Sequence, residues 1–296
     1  MKIDSVPRIM KQSRSAGFTL MELAAVIATI ALLAVTYSPA FAVTKSRSRG
    51  TICQNNLRQL MQAFLLYSTD FSGFLPPNPD DGNTIPGFNW CPGQAGRGGS
   101  QEFNSDLLHD PPRSILLPYG ADQTLFKCPE DRRMGKYQGS DKTLRGQTVP
   151  AARTISMNNA IGTDPYPPSN GKLPTNGPWL DNSHSNTRTG KWQTYGRLSD
   201  LSNPGPAKTW VLMDEDDRSI NDGHFAFGMQ ISEWIDGPGG YHNKSGSLVF
   251  ADGHGELHHW LDPRTIFTGT SFTRKAAPNS VDWKWIADRT SALKVR

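Results

Sequence analysis

The chain holds 296 residues, with 31 Lys and Arg against 27 Asp and Glu, 36% apolar residues and only 20% charged ones. So few charges, together with 28 Gly and 22 Pro, exclude a long charged coiled coil and a polar disordered chain and point to a loop-rich globular body. Lys2, Arg8, Lys11 and Arg14 place most of the net charge of +4 within the first 17 residues, which leaves a nearly neutral body and no electrostatic case for nucleic acid as a partner.

The first expected element is a helix. Phe18 to Phe41 is an apolar run of 24 residues broken by one charge, Glu22. At ~1.5 Å per residue it is long enough for a hydrocarbon core of about 30 Å. The basic flank predicts a cytoplasmic leader and an external body. An ordinary signal anchor and a cleaved secretory signal are the plain alternatives. Ala40-Phe41-Ala42 resembles a small-residue cleavage site, but the apolar stretch before it exceeds the usual h-region of about 7–15 residues. Glu22 is costly inside such a span and marks function. Pro39 predicts a kink or loosening, with Thr36 and Ser38 able to offer a hydroxyl to the freed carbonyl.

Gly17-Phe18-Thr19-Leu20-Met21-Glu22 resembles the processing site of type IV prepilins and type II secretion pseudopilins. The resemblance implies cleavage after Gly17 by a prepilin peptidase and N-methylation of Phe18. It also implies a role for Glu22 in assembly, where it pairs with the amino terminus of a neighbouring subunit. Counted from Phe18, Pro39 is the twenty-second residue, where many pilins also carry a proline.

Beyond Val43 the sequence turns polar and basic at Lys45, Arg47 and Arg49. Ile52, Leu57, Leu60, Met61, Phe64, Leu65 and Tyr67 then fall mostly at i, i+3, i+4 spacing, an amphipathic helix that needs a cover. Gly50 interrupts it at a cost of ~1 kcal/mol. The pattern stops at Asp70-Phe71-Ser72-Gly73, so one helix is expected from about 18 to 70. Residues 74–150, rich in Gly, Pro, Asn and Asp, read as loops with one or two short helices. Strands are expected at Thr154–Met157, Thr209–Met213, His224–Phe227, Gly246–Ala251 and Glu256–Trp260, paired as an antiparallel sheet. Residues 164–190 read as a long, mobile loop.

The C-terminal half extends the resemblance. His242, nine intervening residues and Asp252-Gly253 reproduce a signature of a large bacterial group of prepilin-type proteins. Cys53-Gln54-Asn55-Asn56-Leu57-Arg58-Gln59, Tyr67-Ser68-Thr69-Asp70 and Cys128-Pro129-Glu130-Asp131 are similar to further elements of that group. The implied fold is α+β and pilin-like: a long N-terminal helix, membrane-spanning in its first half, packed on an antiparallel head with long loops. Its parts are a leader over 1–17, a transmembrane helix over 18–42, an amphipathic continuation over 43–72 and a periplasmic or extracellular head over 73–296. The implied function is that of a structural, non-enzymatic subunit of a type IV pilus or secretion pseudopilus. Its location is the inner membrane, single-pass, with the head periplasmic or in an extracellular filament. The implied partners are other pilin or pseudopilin subunits, the prepilin peptidase, an inner-membrane assembly platform and membrane lipid.

Cys53, Cys91 and Cys128 all lie beyond the expected span, in an oxidising compartment on this topology. A Cys53–Cys128 disulfide would tie helix to head, and both positions match the group's pattern; Cys91–Cys128 and three reduced thiols are the alternatives. Two carboxylates and two imidazoles suit Zn or a similar ion, and His242, Asp252, His254 and Asp214 are the candidate ligands of a structural divalent metal. The alternative function is a membrane-anchored periplasmic hydrolase, dependent on metal, that uses the His242/Asp252 region. The plainer account makes Asp252-Gly253 a hairpin turn capped by His242. Asp214, Glu215, Asp216 and Asp217 are candidates for calcium. No nucleophile elbow, Walker loop, Cys-x-x-Cys or His-Glu-x-x-His is present, so no catalytic residue and no other cofactor is expected.

Overall fold

The computed structural model describes residues 19–294, and between residues 34 and 48 the backbone only. Gly17, Phe18 and the expected leader over 1–17 lie outside the described residues. The chain divides into two compact units, residues 1–45 and 46–296. Helix α1 (Leu20–Asp70) runs through the boundary.

In the first unit α1 opens on a capping box. The Thr19 amide and hydroxyl both donate to Glu22 Oε2 at 2.9 Å, and the Glu22 amide donates to Thr19 Oγ1 at 3.2 Å. Two otherwise orphaned groups of the helix start are thereby satisfied.

The second unit is built mostly from sheet. Its strands are β1 (Met134–Lys136), β2 (Thr148–Pro150), β3 (Ile155–Asn158), β4 (Trp210–Asp214), β5 (His224–Phe225), β6 (Glu233–Trp234), β7 (Ser245–Phe250), β8 (Gly255–His259) and β9 (Lys275–Ala276), followed by helix α2 (Val281–Thr290). The central sheet has the order β5-β3-β4-β7-β8, and β1-β2 and β6-β9 form two small ribbons. β3 and β4 are buried along their whole length, as strands covered on both faces must be. Cys53, Leu57, Leu60, Met61 and Phe64 recur along one side of α1, all fully buried. The last four pack with Ile155, Met157, Leu212 and Val249 in one core. A second core holds Trp210, Met213, Leu248 and Phe250 together with Trp283, Ile286 and Ala287 of α2. The two helices therefore cover different sets of sheet residues. A register shift between Trp210 and Leu212 explains why the neighbours Val211 and Leu212 share one core, which strict alternation forbids.

Several expectations are corrected here. Among the described residues no helix is long and apolar enough to cross a membrane. The transmembrane assignment over 18–42 and the single-pass inner-membrane location therefore fall. The pilin-like fold class falls too: the body is dominated by three sheets, and the central one is mixed. The five expected strand segments do coincide with its five strands, but β5 joins β3 in parallel. The loop after β4 reverses the chain past β3, so β5 runs against β4 and along β3. The ribbons β1-β2 and β6-β9 and helix α2 were not expected. Residues 164–190 contain no regular element, yet Asn186 Nδ2 donates to the carbonyls of Asn176 at 2.9 Å and Gly177 at 2.7 Å, and Arg188 pairs with Asp164.

Candidate metal centre

Four side chains from four separate segments converge within the second unit. Cys53 comes from the buried side of α1. Cys128 follows a 3-10 turn over Gln123–Phe126, Asp214 ends β4, and His242 precedes β7. One ligand atom from each lies within 4.8 Å of every other. Cys128 Sγ is 3.2 Å from His242 Nε2, His242 Nε2 is 3.7 Å from Asp214 Oδ2, and Cys53 Sγ is 3.9 Å from the same Oδ2. All four residues are buried, His242 the most exposed at 2%.

The surrounding backbone aims these groups. The Ser247 amide of β7 donates to Asp214 Oδ1 at 2.8 Å, leaving Oδ2 to face the thiols and the imidazole. The Cys128 amide donates to Thr154 Oγ1 at 3.3 Å, and that hydroxyl donates to Asp131 Oδ2 at 3.0 Å. Gly50 explains its own place in α1. A Cβ there would meet Leu257 at 3.1 Å and the His242 ring at 3.4 Å, so glycine lets the helix approach the imidazole. Gly239 does the same beside Asp214, where a Cβ would stand 2.9 Å from Cγ.

Burial dominates the electrostatics. It pushes Asp214 up to about 7, against the opposing His242 charge and the Ser247 amide. It raises the Cys128 thiol well above its ordinary value, and neighbouring Cys53 adds to the rise. For His242 burial acts downward, but contact with Cys128 and the charge of Asp214 outweigh it, so the imidazole is raised. Without a cation these groups are held in their uncharged or mutually paired forms.

The donor set fits a tetrahedral divalent ion. Zn–S bonds of about 2.3 Å and Zn–N or Zn–O bonds of about 2.0–2.2 Å give ligand-to-ligand edges of roughly 3.3–3.8 Å. The three separations given above, 3.2, 3.7 and 3.9 Å, bracket that range. Two sulfurs, one imidazole and one carboxylate suit Zn better than a hard ion such as Ca.

The sequence-derived candidates are redistributed. Cys53 and Cys128 meet, but as free thiols, like Cys91, rather than as a disulfide. His242 and Asp214 belong to the tetrad; Asp252 and His254 do not. Asp252 Oδ1 lies 2.6 Å from His254 Nδ1 on the exposed turn between β7 and β8. His242 precedes the six-residue β7 and Asp252 follows it, so about 20 Å of strand separates them. The expected approach of His242 and Asp252, and a site built on that pair, are corrected on this ground. The suggested calcium set is dispersed: Asp216 pairs with Arg218, Asp217 with Arg97, and Glu215 accepts from Ser156 and Ser219. Glu22 is engaged in its capping box, and Gly17 and Phe18 are outside the described residues. The cysteines were not expected as ligands, because no two of the four donors share a short motif.

No family model matches the chain, and neither a curated protein nor a solved structure does. The resemblance to prepilins and pseudopilins is not upheld. With it fall the assignments to pilus, secretion, peptidase cleavage, methylation and periplasm.

Proposed function

We propose that this chain is a structural, non-enzymatic assembly subunit whose body is pinned by one divalent metal ion, most simply Zn, held by Cys53, Cys128, Asp214 and His242. The closure of the tetrad carries this reading. Four protein donors complete a tetrahedral shell, and their side chains are withdrawn from solvent, with those of His242 and Asp214 at 0% exposure. A catalytic zinc keeps one position for water or substrate, whereas a structural one is filled by protein. The ion would supply charge neutralisation and a cross-link between α1 and the sheet. Asp214, steered by Ser247, and His242, admitted by Gly50, would hold it in place.

Metal analysis of the reduced, purified full chain tests this. One tightly held Zn per chain is expected, lost in Cys53→Ser and Cys128→Ser. A wild-type chain that binds no transition metal would refute the site.

A second observation bears on assembly. In the first unit Leu20, Met21, Leu23, Val26, Ile27, Ile30, Leu32 and Leu33 are all exposed, Leu20 by 85% and Met21 by 86%. An apolar surface around the whole circumference of a helix requires a cover, and the proposed cover is the same stretch of other copies. Replacing Leu23, Ile27 and Ile30 by Lys should then convert a self-associated species to monomer in sedimentation. An unchanged sedimentation coefficient would refute it.

A further inference from the structure

A second cluster of donors lies apart from the tetrad. Asp80 sits in the loop that follows α1, Asp222 lies just before β5, and His224 is the first residue of that strand. One ligand atom of each lies within 4.8 Å of the other two. The His224 side chain is at 0% exposure, and neither ring nitrogen has a hydrogen-bond partner among the described residues. Its Nδ1 stands 3.4 Å from Asp80 Oδ1. An imidazole buried without partners is expensive, and two neighbouring carboxylates repel each other. A cation bound between them removes both penalties at once.

The supports resemble those of a prepared site. The His224 amide donates to Asp222 Oδ1 at 2.8 Å, which fixes that carboxylate beside the ring. Asp80 Oδ2 accepts from Trp179 Nε1 at 3.0 Å and lies 3.0 Å from His184 Nε2. The His184 side chain is 66% exposed, so this side of the cluster meets solvent. The tetrad lacks such an opening.

We infer that Asp80, Asp222 and His224 form a second divalent-cation site, with His184 at its solvent side. Two carboxylates and an imidazole, without sulfur, select a first-row ion of the Mn2+ class over a thiolate-seeking one, and the nitrogen donor disfavours Ca2+. The open side leaves positions for water. The inference shares no ligand with the tetrad and stands whether or not that site holds Zn.

The test is Mn2+ titration of the full chain, supplied beforehand with one equivalent of Zn2+ and read by the loss of the free-ion paramagnetic resonance signal. One bound Mn2+ per chain is expected for the Zn-loaded wild type and for Cys128→Ser titrated without added Zn2+, since that variant would leave the equivalent of Zn2+ free to compete. His224→Gln and Asp80→Asn should each abolish it. Asp80 is partly exposed, and its variant should keep the wild-type thermal midpoint in the absence of Mn2+. An undiminished free-ion signal with the wild type overturns the site. So does wild-type binding by Asp80→Asn or His224→Gln, and loss of binding in Cys128→Ser would relocate the ion to the tetrad and overturn it equally.

Discussion

Cys128→Ser nearly preserves side-chain volume but replaces a zinc-seeking sulfur by a weakly coordinating hydroxyl. The affected sulfur lies 3.2 Å from His242 Nε2 in a fully buried position, where no outside ligand can take its place. A ligand that binds only the folded state stabilises by RT ln(1 + [L]/Kd), about 2.7 kcal/mol when free metal exceeds Kd a hundredfold. For a body of this size each kcal/mol moves Tm by about 2–4 °C. Thermal unfolding of the reduced chain, followed by circular dichroism, should therefore show the wild type falling by about 5–11 °C when Zn2+ is replaced by EDTA. The variant should unfold at the same temperature in both buffers, close to the wild type in EDTA. A wild-type Tm indifferent to the chelator, or a variant that keeps the full Zn2+ shift, would refute the tetrad as a metal centre.

Three further outcomes are expected. Gly50→Val should press its side chain on Leu257 and the His242 ring, costing about 1–3 kcal/mol by overpacking and lowering Zn occupancy in metal analysis. Leu60→Ala removes a fully buried side chain from the core beneath α1 and should cost about 2–5 kcal/mol in denaturant unfolding. Asp131 is pushed up by burial, but the hydrogen bonds and charge of Arg133, with Nη2 2.9 Å from Oδ2, outweigh this and hold it below the ordinary aspartate range. Its folded-state value being depressed, the stability it contributes is complete above the unfolded value of about 3.9 and is lost as pH falls through the folded value. Asp131→Asn should cost about 1–3 kcal/mol at neutral pH by removing one of the two buried carboxylates that pair with Arg133, Glu102 remaining at 3.3 Å, and should flatten the acid limb of a stability profile measured between pH 2 and 5.

The strands were legible in the sequence because β-branched and aromatic residues gather where both faces are covered, as in Trp210–Asp214. The direction of β5 was not, since His224-Phe225 carries no sign of which neighbour it will meet across the loop after β4. Helix α2 had readable signals: Ser280 as cap, whose Oγ accepts the Trp283 amide at 3.3 Å, and Trp283, Ile286, Ala287 and Thr290 at helical spacing. Its ten residues were masked by the polar stretch before them. In the site, His242 and Asp214 stood out as titratable groups beside strands. Asp252 and His254 shared that pattern, but β7 carries the chain away from His242 before Asp252 is reached. Cys53 and Cys128 suggest a disulfide because both match the group's pattern, and nothing in their local sequence points to Asp214 or His242 as companions.

The donors of the tetrad stand 75, 86 and 28 positions apart along the chain. Closing loops of such length costs (3/2)RT ln n, about 4 kcal/mol for each of the two longer ones and about 3 for the shorter. An unfolded chain gathers four donors only against that entropy, whereas once α1, β4 and the segment before β7 have met, the site is preformed and that cost has already been met. Uptake of the proposed ion would then be a late event in folding, and the ion would report on completed assembly of the body rather than nucleate it. A substitution far from the cysteines that loosens α1 against the sheet would show itself first as loss of the proposed ion.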